Sequence, residues 1–455
     1  MASKVPSIAV VVLAAGRGTR MKSGLAKVLH PLAGRPMLSF PLAAAESLNP
    51  ERLVVVVGRD VDRVCEAYSE RATFVLQEEP RGTGHAVAQA EQALKGFNGD
   101  VLILYGDTPL IRPETLAQLV VTKAEVQADL VLLTAEVDVP GIVIRDEAGS
   151  IARIVEASDA TPEELAIRER NTGVYLLSAE LLWKTLAQIG DRNEQGEIYL
   201  TDLVGLSVRA GLRVEAPRMA DSEEAIGVNT RVELAAAAAV IRRRKLDQLM
   251  LDGVTVVDPG TTYIDVDVEV GKDTVIEPGC SIQGQSRIGD GVHLKPGCVI
   301  ESSDVGDDAI IGPNAHLRPG SVLGRGVRIG NYVEIKNSVL GDGVKADHLS
   351  YIGDADVGAR ASFGCGAITV NYNWREKGRT TIGEGAKIGC NVNLIAPVTI
   401  GRNAAVAAGS TIASEVPDDA LAVERAQHRN VEGWAARRGA GGASRRSQSD
   451  EEETD

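Results

Sequence analysis

The residues best suited to chemistry in this chain stand where apolar runs give way to glycine-rich turns. In segment 13–21, LAAGRGTRM, two glycines and two arginines follow a run of aliphatics, so backbone N–H groups can converge on an anion. Arg20 and Lys27 add fixed positive charge beside that turn. The spacing matches neither GxGxxG nor the Walker A pattern, so the bare chemistry is that of a phosphate site, with a tight structural turn as the alternative. Asp107 closes the run VLILYGD, a common place for a carboxylate that holds Mg²⁺ on a phosphate, and equally a place for a turn aspartate. His348, in DHLSYIGDA, has the chemistry of a general base, although a lone histidine more often only packs or faces solvent.

Two kinds of element must position these groups. From Ile8 to about Val228 the continuous apolar runs IAVVVLAA, LVVVVG, VLILYGD and DLVLLTAEV alternate with amphipathic segments. That pattern predicts strands covered on both faces in a mostly parallel sheet, with ligands beyond the strands' carboxyl ends, at Gly16 to Lys27 and at Tyr105 to Pro109. From Ile264 to Ile412 the period changes. Steps of six residues land on Ile264, Val270, Ile276, Ile282, Ile288, Leu294 and Ile300, and later runs continue to Ile335 and to Ile412. A hexad repeat suits a parallel β-helix whose interior column is filled by the repeated aliphatic. Glycine often follows that aliphatic, as at Gly289 and Gly312, but Arg318 and Lys336 take the slot instead and should project outward. The repeat breaks between Ile368 and Ile382 at NYNWREKGR, a polar and aromatic loop expected to serve binding.

These signals predict a sheet domain over 1–228, a helix over 229–252 ended by Gly253, and a coil over 253–434. The helix's RRRK run reads as a solvated face, and the tail 435–455 as disordered. A net charge of −15 and a pI near 5.1 exclude a broad nucleic-acid or anionic-membrane surface. The five cysteines show no CxxC spacing, which predicts reduced thiols in a cytosol. The opening apolar run reads as a strand rather than a signal peptide, and no run approaches bilayer length.

Taken in order, LAAGRGTRM, GTGHA at 82–86, YGDTPL at 105–110 and the hexad coil resemble the GlmU family, from Ile8 to about Trp434. Its members join an N-acetylglucosamine-1-phosphate uridylyltransferase to a glucosamine-1-phosphate N-acetyltransferase. The resemblance implies an α/β nucleotidylyltransferase domain with a Rossmann-like mixed sheet, a long linker helix, and a left-handed parallel β-helix of hexapeptide repeats. It also implies a cytoplasmic homotrimer that makes UDP-N-acetylglucosamine for cell envelope polymers. Its substrates would be glucosamine 1-phosphate, acetyl-CoA, N-acetylglucosamine 1-phosphate and UTP, with no nucleic-acid or membrane partner.

Carried onto this sequence, the resemblance implies that Leu13, Ala14, Ala15, Gly16, Gln77, Gly82 and Thr83 hold the nucleotide. Gln77 suits uracil because an amide offers both a donor and an acceptor. Arg20 and Lys27 would neutralise the phosphates, Asp107 beside Gly106 would hold Mg²⁺ with Asn229, and Tyr105, Gly141, Glu156 and Asn171 would surround the sugar. Where the family commonly has GYGR, this chain has Val139, Pro140, Gly141 and Ile142. In the coil, His348 would be the base and Glu334 would orient it, with Arg318, Lys336, Tyr351, Ser362 and Lys377 around the sugar phosphate. Cys365, Asn371, Tyr372, Cys390, Ala408 and Arg425 would lie near the acetyl group and CoA. Ser362, Cys365 and Cys390 stand where asparagine, alanine and serine are common. The alternatives are a monofunctional sugar-1-phosphate nucleotidylyltransferase with a structural coil, and a zinc-bearing coil, which would need His293, His316 and His348 to converge.

Overall fold

The computed structural model describes residues 7–16, 18–58 and 61–438. They fall into two compact units, Met1–Glu269 with Ser281–Ser286, and Val270–Cys280 with Arg287–Asp455.

In chain order the first unit comprises β1 (Ile8–Ala14), the short pair β2 (Pro31–Leu32) and β3 (Arg35–Pro36), α1 (Ser39–Glu46), β4 (Arg52–Val57), α2 (Val61–Tyr68), β5 (Thr73–Leu76) and α3 (Thr83–Ala88). There follow β6 (Asp100–Tyr105), α4 (Pro113–Val126), β7 (Leu130–Glu136), β8 (Gly141–Arg145), β9 (Ile151–Glu156), α5 (Pro162–Leu165), β10 (Glu169–Ser178), α6 (Ala179–Leu186), α7 (Asp202–Arg209), β11 (Val214–Glu215) and α8 (Arg231–Leu251). The main sheet runs β11-β7-β10-β6-β1-β4-β5, with β8 branching from β10 and β9 from β8. β1 is parallel to β4 and β6, while β10 is antiparallel to β6 and β7, so the sheet is mixed.

The apolar runs are unbroken because both faces are covered. Val10 and Val12 pack into one core with Leu42, Leu116 and Leu119, and Ala9 and Val11 into another with Val87, Leu94 and Leu182. Each such fully buried Val or Leu contributes about 1.5–3 kcal/mol relative to exposure, which is what fixes the central strand and the turns leaving it.

α8 starts at a capping box, with the Thr230 hydroxyl accepting from Glu233 N and the Glu233 carboxylate accepting from Thr230 N. Its Ala237, Val240 and Ile241 pack against Leu32, Met37 and Leu110, all in the first unit. The RRRK run is therefore not the solvated face expected from its charge. Arg244 Nη1 donates to Leu110 O at 2.8 Å, Lys245 Nζ to Val268 O at 2.7 Å, and the Arg242 guanidinium lies 4.3 Å from the Tyr263 ring centre. Long basic stems can cover apolar surface while their heads satisfy backbone carbonyls, so a charge run does not by itself mark solvent. Of the four, only Arg243 is exposed.

The second unit consists of strands mostly two or three residues long in parallel ladders. Ile276 pairs with Leu294, Leu294 with Ile311 and Ile311 with Ile329, and all four are buried. The hexad aliphatics thus stack coil on coil, as a parallel β-helix of hexapeptide repeats requires. At the corners the backbones approach closely. A Cβ at Gly289 would lie 2.7 Å from Asp307 N, so a side chain at that one position would push against the next coil's backbone. Trp434–Arg437 form a short helix; residues 439–455 of the expected disordered tail lie outside the described residues.

Candidate active sites

The register of the first unit brings its candidate residues to one sheet edge. Leu13 is opposite both Tyr105 and Val56, and Val57 is opposite Leu76, so Gly16, Gln77 and Asp107 all follow the carboxyl ends of parallel strands. A cleft of about 460 Å³ opens there. Leu13, Ala15, Gly16, Arg20, Gln77, Gly82 and Thr83 line one side of it, and Tyr105, Asp107, Gly141, Glu156, Asn171 and Asn229 complete it. Ala14 and Lys27 line an adjoining recess that shares Ala15, Gly16 and Gln77 with the cleft. Gly106 lines neither recess. Its N–H donates to Leu13 O at 2.9 Å, and a Cβ there would sit 3.1 Å from Leu38 Cδ1.

Lys27 joins the Gly16 turn to Asp107 and Asn229. It is 9% exposed, and its Nζ donates to Asp107 Oδ2 and, at 3.0 Å, to Asn229 Oδ1. Gly18, at φ +59°, lets the turn pass over the Lys27 stem, since a Cβ there would lie 2.7 Å from Lys27 Cβ. Val228 N donates to Asp107 O at 2.8 Å, which ties the start of α8 to the Asp107 turn. The Glu233 carboxyl, which burial alone would raise, is held below its ordinary pKa by the backbone N–H groups of Asn229 and Thr230 and by the Arg20 charge. Two oxygens, Asp107 Oδ2 and Asn229 Oδ1, already converge on one cationic nitrogen. That donor pair suits a hard divalent cation completed by substrate phosphates and water.

The other end of the cleft is built by β8, β9 and β10. Gly141 is in register with Glu156, and a Cβ at Gly141 would lie 3.2 Å from Asn171 Cβ, so the three expected residues meet although the GYGR pattern is altered. A register shift in β10 follows Asn171, at Gly173 with φ +81°. A Cβ at Gly173 would come 2.2 Å from Tyr105 Cε2, so the Tyr105 ring fills the place of that side chain. Asn171 is partly committed within the protein, with Nδ2 donating to Tyr175 Oη at 2.6 Å and Oδ1 accepting from Gly173 N at 3.1 Å. Burial, then the charges of Glu156 and Asp107, push the Tyr105 phenol far up and keep it neutral. Burial also raises the Glu156 carboxyl, against a hydrogen bond from Thr201 Oγ1 at 3.1 Å. Glu197 and Tyr199 line the same cleft and were not anticipated, because the segment EIYLTD carries no glycine turn or charge pattern to single it out.

In the second unit, Arg318, Lys336 and Gly353 follow aliphatics that stack on successive coils. Asp354, which sequence reasoning missed, organises this corner. It is 6% exposed; its Oδ1 accepts from Asn337 Nδ2 at 2.6 Å and its Oδ2 from Asn371 Nδ2. Burial would raise this carboxyl, but those amides and the charges of Lys336 and Lys377 hold it below its ordinary range. Asn371 Nδ2 also reaches Tyr351 Oη at 3.3 Å, so Lys336, Tyr351, Asn371 and Lys377 share one neighbourhood.

Glu334 pairs with Arg318 Nη1 at 2.8 Å and makes no hydrogen bond to His348 among the described residues. The parallel register explains this, since Glu334 lies opposite Tyr351 while His348 lies opposite Asn331. His348 is exposed at the end of its strand. The loop after Ile368 closes on itself through a Tyr372–Lys377 bridge and through Asn373 Oδ1, which accepts from Glu376 N at 2.9 Å. Ser362 and Cys365 are half-buried, and Cys390 is exposed. A Cβ at Gly389 would lie 2.6 Å from Ala408 N, and one at Gly409 would lie 3.9 Å from Arg425 Cδ, which puts Ala408 and Arg425 near one corner. His293 and His316 pair separately with Glu277 at 3.2 Å and Glu301 at 3.0 Å. Among the described residues no helix is long and apolar enough to cross a membrane.

Fold and sites together define a nucleotidyltransferase domain joined to a hexapeptide-repeat transferase. Residues 10–199 match the MobA-like NTP transferase domain family, and residues 267–302, 302–337 and 379–414 match the bacterial transferase hexapeptide (six repeats) family. A relative in Trichlorobacter lovleyi, "Bifunctional protein GlmU", is 47% identical over 94% of this chain and 98% of its own length. Proteins of the same name are 46% identical in Exiguobacterium sp., over 94% of this chain and 99% of that one, and 44% identical in Listeria monocytogenes, over 93% and 97%. The chain belongs to the bifunctional GlmU family. It is a bifunctional transferase, with one nucleotidyltransferase and one acetyltransferase activity.

Proposed function

We propose that the coil acetylates glucosamine 1-phosphate from acetyl-CoA and that the first unit then joins the resulting N-acetylglucosamine 1-phosphate to UTP, releasing pyrophosphate. The observation that carries the second step is the contact of Lys27 Nζ with Asp107 and Asn229 beside the Gly16 turn. An oxygen of the sugar phosphate attacks the α-phosphorus in line, a reaction that needs positioning and charge neutralisation rather than a protein nucleophile. Lys27 and Arg20 take the phosphate charge. Asp107 and Asn229 would hold Mg²⁺, which when bound neutralises phosphate charge further. Leu13 to Gly16, Gln77, Gly82 and Thr83 receive the nucleotide, and Tyr105, Gly141, Glu156 and Asn171 the sugar.

In the coil, His348 accepts the proton that the amine loses as it attacks the thioester. Arg318, Lys336 and Lys377 hold the phosphate; the charges of Lys336 and Lys377 meet at Asp354, and Arg318 follows an aliphatic that stacks on the one before Lys336, which supports this reading. Glu334 acts through Arg318 rather than on the histidine, because its carboxylate is already engaged there. We further propose a cytoplasmic homotrimer with sites completed between subunits. Five free thiols and the acidic charge fit a reducing cytosol.

The test supplies N-acetylglucosamine 1-phosphate, UTP and Mg²⁺ to Lys27→Met and Asp107→Ala and follows pyrophosphate. Losing such preorganised charge should cost about 10²–10³ in kcat, while CoA release from glucosamine 1-phosphate and acetyl-CoA stays at the wild-type rate. Wild-type pyrophosphate rates in both variants would refute the assignment.

A further inference from the structure

Behind the nucleotide wall, α3 carries a histidine that the mechanism above does not use. Gln77 is 5% exposed, and its Nε2 donates to Gly82 O at 3.3 Å and lies 3.0 Å from His85 Nδ1. On the far side of the ring, His85 Nε2 lies 3.2 Å from the side-chain amide of Gln89. A carbonyl oxygen only accepts, so Gly82 O fixes the NH₂ group of Gln77 inward. A neutral imidazole has one N–H and one lone pair. Accepting from Gln77 at Nδ1 therefore puts the ring proton on Nε2, and Gln89 must present its Oε1 there. The opposite assignment would turn Gln77 Oε1 against Gly82 O, two acceptors facing each other in a buried wall. Turning over the Gln89 amide gives up a contact of the same kind, Gln89 Nε2 to His85 O at 3.2 Å, but Gln89 is half-exposed where Gln77 is buried, so water can donate to His85 O in its place and the cost is smaller. Both N–H bonds of Gln77 are then committed. Its Oε1, without a hydrogen-bond partner among the described residues, is the atom left for the cleft that Gln77 lines.

We propose that His85 is a specificity-determining positioning residue: its Nδ1 lone pair holds the Gln77 amide with the oxygen outward, so the cleft takes a pyrimidine whose N3 carries a proton and rejects one whose N3 is an acceptor. This rests on Gln77 reading the base, as proposed above. The backbone supports the arrangement. Gly82 has φ +106° and a Cβ there would lie 2.5 Å from Ile198 O, while Gly84 N donates to Ile198 O at 2.8 Å, so the start of α3 and the Gly82 carbonyl are held against one fixed segment.

The experiment measures kcat and KM for UTP and for CTP in the full-length protein, with N-acetylglucosamine 1-phosphate and Mg²⁺. His85→Leu removes both ring nitrogens at similar volume. His85→Asn returns an amide at the depth of Nδ1, and His85→Gln returns one only at the depth of Nε2. His85→Leu should raise KM for UTP about tenfold, with kcat within about twofold, and lower the UTP-to-CTP ratio of kcat/KM about tenfold, the scale of one misplaced hydrogen bond. His85→Asn should restore most of the ratio and His85→Gln little of it, a contrast that stays readable if the leucine variant folds poorly. Equal rescue by Asn and Gln would overturn the proposal in favour of simple packing. So would a wild-type ratio in His85→Leu while Gln77→Leu abolishes discrimination, and in that case the reading of Gln77 stands. If Gln77→Leu itself leaves the ratio unchanged, Gln77 does not read the base and the proposal falls with it.

Discussion

Lys27 Nζ donates to two oxygens of the protein's own, Asp107 Oδ2 and Asn229 Oδ1, and that is why a nearly buried ammonium is tolerated there. The turn that delivers it was legible in the sequence, because LAAGRGTRM and YGDTPL end continuous apolar runs and the register of parallel strands then fixes their meeting. Gly173 was not legible. Its need arises from Tyr105, an aromatic far away in sequence, whose ring lies 2.2 Å from where a Cβ would be. Gly173→Ala should displace Tyr105 and raise KM for the sugar phosphate about tenfold through one misplaced wall of the pocket, read by initial rates at fixed UTP. Asp354 was equally hidden, since a corner aspartate after glycine looks like any turn residue until the coil stacks it on Asn337 and Asn371. Asp354→Ala should lower acetyl transfer about tenfold or more, by leaving Lys336 and Lys377 without their carboxylate, and leave pyrophosphate release unchanged; measuring both products separates the two effects.

At the scale of elements, β10 couples stability to the site. Its Glu169 is 5% exposed and accepts from Arg145 Nη2 at 2.7 Å, Thr134 Oγ1 at 2.7 Å and Arg218 Nη2 at 3.0 Å. Burial alone would raise this carboxyl, yet the hydrogen bonds hold it at about 2 rather than the ordinary 4.5. A depressed folded-state pKa stabilises above the unfolded value and is lost as pH falls through the folded one. Glu169 should therefore contribute about 3 kcal/mol at neutral pH that fades from about pH 4.5 towards pH 2. Urea unfolding of Glu169→Gln against wild type should show that gap at pH 7 and a narrowing gap at pH 3. Thr230→Ala removes the capping hydroxyl of α8 and should cost about 1 kcal/mol, seen in the same unfolding midpoint. Most of the hexad coil was readable, because one residue in six is aliphatic to fill its column, but where the repeat breaks Thr369 takes the buried place and Ile368 faces outward. The mixed sense of the sheet was implied by the family resemblance and not by the apolar runs themselves. An apolar run announces that both faces are covered and carries no direction, so β10 reads like its parallel neighbours until its antiparallel register is seen.

At the scale of the whole molecule, two units carry two kinds of chemistry, and the residues given to each are disjoint. Loss at one site should therefore leave the other at work. The changes at Ser362, Cys365 and Cys390 are all small side chains on or near the coil surface, and acetyl transfer should survive them. The most direct measurement gives the purified protein glucosamine 1-phosphate, acetyl-CoA, UTP and Mg²⁺ and follows free CoA thiol and pyrophosphate together, in wild type and in His348→Ala. Wild type should release both. His348→Ala should lose thiol release by about 10²–10⁴, the usual weight of a general base, yet still release pyrophosphate from supplied N-acetylglucosamine 1-phosphate. Pyrophosphate from supplied N-acetylglucosamine 1-phosphate with no thiol from the wild-type protein would contradict the account and leave a single nucleotidyltransferase on a structural coil.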